Sequence, residues 1–247
     1  MDSLTATAAS GLRARMESLD MLANNLANAG AAGYKADREF YAIYADAEAV
    51  QAANAGISRH VGVQPVIDRP WVDLSQATLQ HTGSPLDLAL SGPGFFAVNG
   101  ATGTLYTRNG SFQVNTAGEV MTGEGHKLRL RNGGTLKIDP TLPIEVGEDA
   151  WVRQQGALLG QLEITEFRGP DVLRKAGSSY FQAGAAGVES AATQVHQGKL
   201  EASNVAPAQS AVRLVGILRQ FEMLQRAIAI GGDMNRKAVE EVAKPNV

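Results

Sequence analysis

The chain opens with a helical period. Leu12, Met16, Leu19, Ala23 and Leu26 recur at alternating spacings of four and three, which places them on one helix face. Ala6, Ala8, Ala9, Ala14 and Ala27 favour helix and keep its flanks thin. Asn28 and Gly30 tolerate the left-handed conformation that ends a helix, so the pattern predicts a helix over residues 3–28. The far end of the chain repeats the period. Ala211, Leu214, Leu218, Phe221, Gln225 and Ile228 follow the same alternation, and Val215, Ile217 and Leu224 widen the stripe. Asn204 is placed to cap this helix and Pro207 to sit in its first turn, where a missing N–H costs nothing. Gly231 and Gly232 either end the helix or bend it, and Met234 to Ala243 could add turns.

Between the ends the period changes to that of strands. Leu86–Leu90, Phe95–Val98, Leu105–Thr107, Phe112–Val114, Leu128–Arg131, Leu136–Ile138 and Leu162–Phe167 are short runs of strand formers. Asn99-Gly100, Asn109-Gly110, Ala117-Gly118 and Asn132-Gly133-Gly134 supply turns between them. The expected fold is mainly β with α: an antiparallel β-rich central domain plus N- and C-terminal helices. All nine prolines lie outside 1–64 and 208–244, which agrees with helices at the ends alone. The expected division is therefore a discontinuous helical domain of residues 1–30 and 205–243, an extended connector over 31–79, and a β-rich domain over 80–204. The connector is aromatic-rich at Tyr34, Phe40, Tyr41 and Tyr44 and extended around Val61, Val63 and Val66. An isolated helix of this length is marginal in water and its stripe must be covered. Periodicity leaves two covers open: the middle domain, or the other helix and further copies.

Composition narrows the function. A net charge of −3 offers no concentrated basic surface for nucleic acid, and Lys127, Arg129 and Arg131 alternate as the wet face of a strand does. Cysteine is absent, which excludes disulfides, thiolate metal sites and cysteine nucleophiles. No apolar run is long enough to span a membrane, and Asp2 replaces the positive start of a secretory signal. Neither a nucleophile elbow nor a phosphate-binding loop is present. His60, His81, His126 and His196 include no pair at the helical spacing of a metal site. Gly92-Pro93-Gly94 and Gly123-Glu124-Gly125 read as tight turns. Trp71 and Trp151, the aromatics a binding pocket would use, read as core. No catalytic residue, metal ligand or cofactor is expected.

Three stretches carry a resemblance. The first is Asn24-Asn25-Leu26-Ala27-Asn28-Ala29, continuing through Gly33-Tyr34-Lys35 to Phe40. The second runs from Gly83 through Leu86-Asp87-Leu88-Ala89-Leu90 to Phe95-Phe96-Ala97-Val98, followed by Tyr106-Thr107-Arg108-Asn109-Gly110 and Asn115-Thr116-Ala117-Gly118. The third is Gln197-Gly198-Lys199-Leu200-Glu201-Ala202-Ser203-Asn204-Val205. Their order and spacing resemble those of the flagellar basal-body rod protein family. Hook proteins of this kind are longer, and the opening Met1-Asp2-Ser3-Leu4 looks more like a proximal than a distal rod protein.

The resemblance implies that the N- and C-terminal helices pair as a coiled-coil-like α domain, and that the chain is a structural subunit that polymerises through them into a torque-transmitting drive shaft crossing the periplasm. It implies other copies of the chain and other rod proteins as partners, and delivery by the flagellar type III export apparatus without a cleaved signal peptide. The assembly interface is then expected at Leu12, Met16, Leu19, Asn24, Asn25, Leu26, Asn28, Leu214, Leu218, Phe221 and Ile228. The asparagine amides suit a helix–helix contact that fixes register. A distal-rod or hook-type axial subunit, or a secreted β-rich binding module with helical ends, is the alternative.

Overall fold

The computed structural model describes residues 3–39, 41–45, 63–67, 71–101, 103–167, 172–184, 187–190 and 192–242. Phe40, His60 and Val61, singled out above, lie outside the described residues. The chain forms two compact units. One comprises Met1–Leu26, Asp37–Trp71 and Ala206–Val247, and the other Ala27–Ala36 and Val72–Val205.

The first unit is built on two helices, α1 (Ser3–Ala27) and α2 (Pro207–Val242). The carbonyl of Ala206 accepts the first helical bond of α2, from Ser210 N at 3.0 Å, which makes Ala206 the cap in place of the expected Asn204. Pro207 then holds the first helical position, as its fixed φ allows. Gly231 and Gly232 do not end α2, which continues through both to Val242. Its less exposed side chains are Ser210, Leu214, Ile217, Phe221, Leu224, Ile228 and Gly231, a strict four-three alternation. The same unit contains an antiparallel pair of strands, Tyr41–Ala45 and Val63–Ile67, in register from Tyr41 opposite Ile67 to Ala45 opposite Val63.

The second unit is the β-rich body, and its main sheet is organised by the strand Phe95–Gly100. That strand pairs antiparallel with Gly103–Thr107, Lys127–Leu128 and Ile164–Glu166. Phe95, Phe96, Ala97 and Val98 are all buried because both faces of the strand are covered. Phe96 and Val98 point into the main core with Leu90, Phe112, Val120, Leu128 and Leu136. Phe95 points the other way, into a smaller cluster with Leu173 and Phe181. Aromatic edges close both sides, with Phe96 and Phe112 ring centres 5.4 Å apart and Phe95 and Phe181 5.5 Å apart. Leu128 and Leu130 face the core while Arg129 bonds Glu163 at 2.6 Å and Arg131 bonds Gln161 at 3.1 Å on the outer side, but the strand covers only Lys127–Leu128, with Arg129 and Leu130 in isolated bridges and Arg131 in a turn.

Three local expectations shift. Asn99 and Gly100 lie inside the strand, opposite Thr104 and Gly103, so the turn falls after them. Residues 135 and 137 form only isolated bridges, to Arg129 and Glu119, although Leu136 and Ile138 are buried as a strand's inner residues would be. Trp71 is 42% exposed and is not core.

Gly110 marks the tightest approach in this unit. A Cβ there would lie 1.6 Å from the carbonyl oxygen of Leu88. Gly110→Ala is expected to abolish cooperative folding of the β-rich unit in urea denaturation. Gly83→Ala should cost only about 1–2 kcal/mol, because the strain of its positive φ of 74° is all it meets: nothing lies within 4 Å of the added carbon.

Candidate assembly surface and a buried ionic clamp

The residues expected at the assembly surface are divided by the structure between a covered seam and open faces. Leu214, Phe221 and Ile228 lie in the half-buried seam of α2, together with Ile217, which is 5% exposed, and Leu224. Leu218 lies outside it at 44% exposure. On α1 the covered line is Ala14, Ser18, Leu22 and Asn25, one position away from the expected face. Leu12 and Leu19 flank that line half-buried, whereas Met16 is 56% exposed and Leu26 37%.

The reason is size. Gly11, Ala14 and Ser18 are small, and a Cβ built on Gly11 would lie 3.6 Å from Leu224 Cδ1, so α1 meets a side chain of α2 there. Weighting the pattern by large apolar side chains hides such a line of small residues. What remains open to solvent is a set of large apolar side chains: Met16 and Leu26 on α1, and Val212, Val215, Leu218, Met223, Ile230 and Met234 on α2.

Asn25 has a local partner within its own unit. Asn25, 7% exposed, donates to the Asp37 carbonyl at 2.8 Å and accepts from the Asp37 N–H at 2.9 Å, tying the returning chain to the helix end. Asn24 is exposed, and the carbonyl of half-buried Asn28 accepts from Ala31 N at 3.1 Å in the turn that ends α1.

In the β-rich unit the three stretches of the sequence signature meet at one point. Glu201 and Lys35 are fully buried and Arg108 is 2% exposed; they are the buried charged residues among those described. Lys35 Nζ donates to Glu201 Oε1 at 2.7 Å and to the Ser75 carbonyl at 2.6 Å. Arg108 donates to Glu201 Oε2 at 3.1 Å and to the Gly92 carbonyl, with its guanidinium 4.8 Å over the Phe95 ring. Ala77 N–H adds a bond to Glu201 Oε1 at 2.8 Å, and the Glu201 carbonyl takes Gly33 N–H at 2.7 Å. Gly33 adopts a φ of 66°, and a Cβ there would sit 2.2 Å from the Arg108 carbonyl carbon. One carboxylate thus serves two cations. Burial lowers the Lys35 ammonium below its ordinary value of 10.5, more than Glu201 beside it raises it, and Arg108 lowers it further.

Asn204 completes the arrangement. Its amide accepts from Ala36 N–H at 2.7 Å and donates to the Asp73 carbonyl at 2.7 Å, while Asp73 N–H bonds the Ala36 carbonyl at 2.8 Å. Lys35, Arg108 and Glu201 each stand within a stretch the sequence singled out, but nothing local shows that residues 166 positions apart form an ion pair.

Among the described residues no group of three or more His, Cys, Asp or Glu side chains could hold a metal, and no helix is long and apolar enough to cross a membrane. The buried charges bind the fold's own backbone segments together, and both helices leave large apolar side chains in water. Comparison with known proteins gives the family. Residues 6–35 match the family described as flagella basal body rod protein, 89–157 the flagellar hook protein FlgE/F/G D1 domain, and 196–241 the flagellar basal body rod FlgEFG protein C-terminal region. The chain is 32% identical over 232 residues to the flagellar basal-body rod protein FlgF of Caulobacter vibrioides, covering 92% of this chain and 93% of that protein. It is 29% identical to the flagellar basal-body rod protein FlgG of Bacillus subtilis, covering 93% of this chain and 95% of that protein. The chain belongs to the flagellar basal-body rod protein family, as a structural subunit of the rod.

Charge counting predicts how the clamp responds to substitution. Glu201→Gln strands two buried cations and is expected to cost about 3–5 kcal/mol in denaturant unfolding. Lys35→Met leaves a neutral Arg108–Glu201 pair and should cost no more than about 2 kcal/mol. A larger loss from Lys35→Met would contradict this electrostatic account.

The pH dependence has a definite sign. Between the lowered native pKa of Lys35 and its unfolded value of 10.5, the unfolded chain binds more protons than the native one. This lysine therefore makes stability rise with pH across that window. Stability of the wild type relative to Lys35→Met, measured by denaturation at successive alkaline pH values, should increase.

Proposed function

We propose that the chain polymerises through the open apolar rows of α1 and α2, and that the assembled rod transmits torque. The observation that carries this is the exposure of large apolar side chains on both helices, with Val212 at 75%, Met234 at 66%, Ile230 at 60% and Met16 at 56%. A lone soluble subunit gains nothing by leaving such rows in water, whereas a subunit that stacks with copies covers them. Leu12, Met16, Leu19, Asn24, Asn25, Leu26, Asn28, Leu214, Leu218, Phe221 and Ile228 then act at the assembly region in two ways. The seam members hold α1 to α2, and the exposed members meet neighbouring copies.

Within the helical unit we take α1 and α2 to run antiparallel as a coiled-coil-like pair. Asn25 bonds Asp37, and two residues on Glu39 pairs with Arg213 at 2.8 Å, which puts the end of α1 beside the first turns of α2. Gly11 meets Leu224 further along both helices. In that register Ser18 faces Ile217 and Asn25 faces Ser210. The working division takes the helices within 1–30 and 205–243 as the assembly domain and 80–204 as an outer β-rich layer, with residues 31–36 and 72–79 of the expected connector joined to that layer. Identity does not separate the rod types, at 32% to the Caulobacter FlgF and 31% to the Agrobacterium fabrum FlgG. The opening residues favour the proximal type. Partners in this reading are further copies, other rod proteins and the flagellar export apparatus that delivers the chain to a periplasmic rod.

Substitutions distinguish the two roles. Leu218→Asp and Met16→Asp change exposed positions, so stability of the free subunit should move by no more than about 0.5 kcal/mol, while cells carrying either variant should not swim. Ile217→Asp and Leu22→Asp should instead melt the helical unit of the free protein, seen as lost helical circular dichroism. Normal swimming by both exposed-position variants would refute assembly through these rows.

A further inference from the structure

The chain passes between its two units four times, at residues 26/27, 36/37, 71/72 and 205/206. The segments adjoining three of these crossings are joined inside the β-rich unit. Asn204 binds Ala36 and Asp73, Asp73 binds Ala36, and Lys35 binds both Ser75 and Glu201. Tyr34 O accepts Asn204 N–H at 3.3 Å, and Gly33 N–H reaches the Glu201 carbonyl, so the first and last segments also bond backbone to backbone. Arg108 then ties Glu201 to Gly92 and Phe95, at the edge of the central strand.

Stability alone does not account for such a choice. Burying one anion and two cations carries a desolvation cost that apolar side chains of the same volume would avoid. What the charges add is geometry: two forked, directional groups fix one arrangement of three segments, where an apolar plug would permit several. We propose that the Lys35–Glu201–Arg108 cluster, with Asn204, is a load-sharing clamp, through which tension entering the β-rich unit along any of the three segments is carried by all three and passed to the strand Phe95–Gly100. This mechanical role rests on the reading of the chain as a torque-bearing subunit.

The full-length, cysteine-free chain allows two unique attachment points, introduced as Ala23→Cys on α1 and Gln182→Cys on the sheet, both exposed. Single molecules are stretched between them, and the force of the first rupture in the β-rich unit is recorded. Asn204→Ala and Glu201→Gln are compared with Leu136→Ala, a core substitution that weakens the same unit away from the clamp. The clamp predicts a roughly twofold lower rupture force for Asn204→Ala and Glu201→Gln than for Leu136→Ala at equal denaturant stability. Should Glu201→Gln fail to fold, Asn204→Ala, which removes no charge, decides the matter alone. Rupture forces that follow denaturant stability, with no difference between clamp and core variants, overturn the proposal. Because the free subunit is measured, this outcome is independent of whether the helices drive polymerisation.

Discussion

The pairing of one buried carboxylate with two cations is the constraint on which the arrangement of this chain depends. Glu201 lies six residues before α2, Lys35 eight residues after α1, and Arg108 in the turn that follows a main-sheet strand. Once Glu201 is placed, its two oxygens and its carbonyl fix Lys35, Arg108, Ala77 and Gly33. The neighbouring choices follow from that placement. Position 33 must be glycine because its backbone lies against Arg108, and position 204 must carry an amide because it faces both a donor and an acceptor.

The helices obey a different economy. The covered stripe of α1 carries small residues and that of α2 larger apolar ones, and Gly11 lies against the Leu224 side chain. Each helix thus covers one stripe and leaves other apolar positions exposed. On the proposed reading both have a use: the covered stripes keep the subunit folded before assembly, and the exposed apolar side chains are what copies bury.

Much of this was legible in the residues. Both helices, the antiparallel β-rich middle and the turns at Asn109-Gly110 and Asn132-Gly133-Gly134 followed from period and turn chemistry. The family followed from three motifs. Other features were hidden for identifiable reasons. Leu218 and Met16 were assigned to a single seam because a hydrophobic period marks an apolar face without saying which part of a wide stripe the partner covers. Asn204 looked like a cap because position relative to a helix is local, whereas its real partners, Ala36 and Asp73, are more than 130 positions away. The ionic cluster had no sequence signal of its own, since each member is a lone charge within a glycine- or aromatic-rich stretch.

The central claim is that the clamp makes residues 33–36 and 201–204 part of the β-rich body, although they adjoin the helices in sequence. Native-state hydrogen exchange of the free subunit tests this most directly. The amides of Gly33, Ala36 and Ala77 should exchange only with global unfolding of the β-rich unit, as slowly as that of Val98 in the central strand, while amides of α1 and α2 exchange through smaller openings. Exchange of Gly33 and Ala36 at the rate of the helices, well ahead of Val98, would contradict the account.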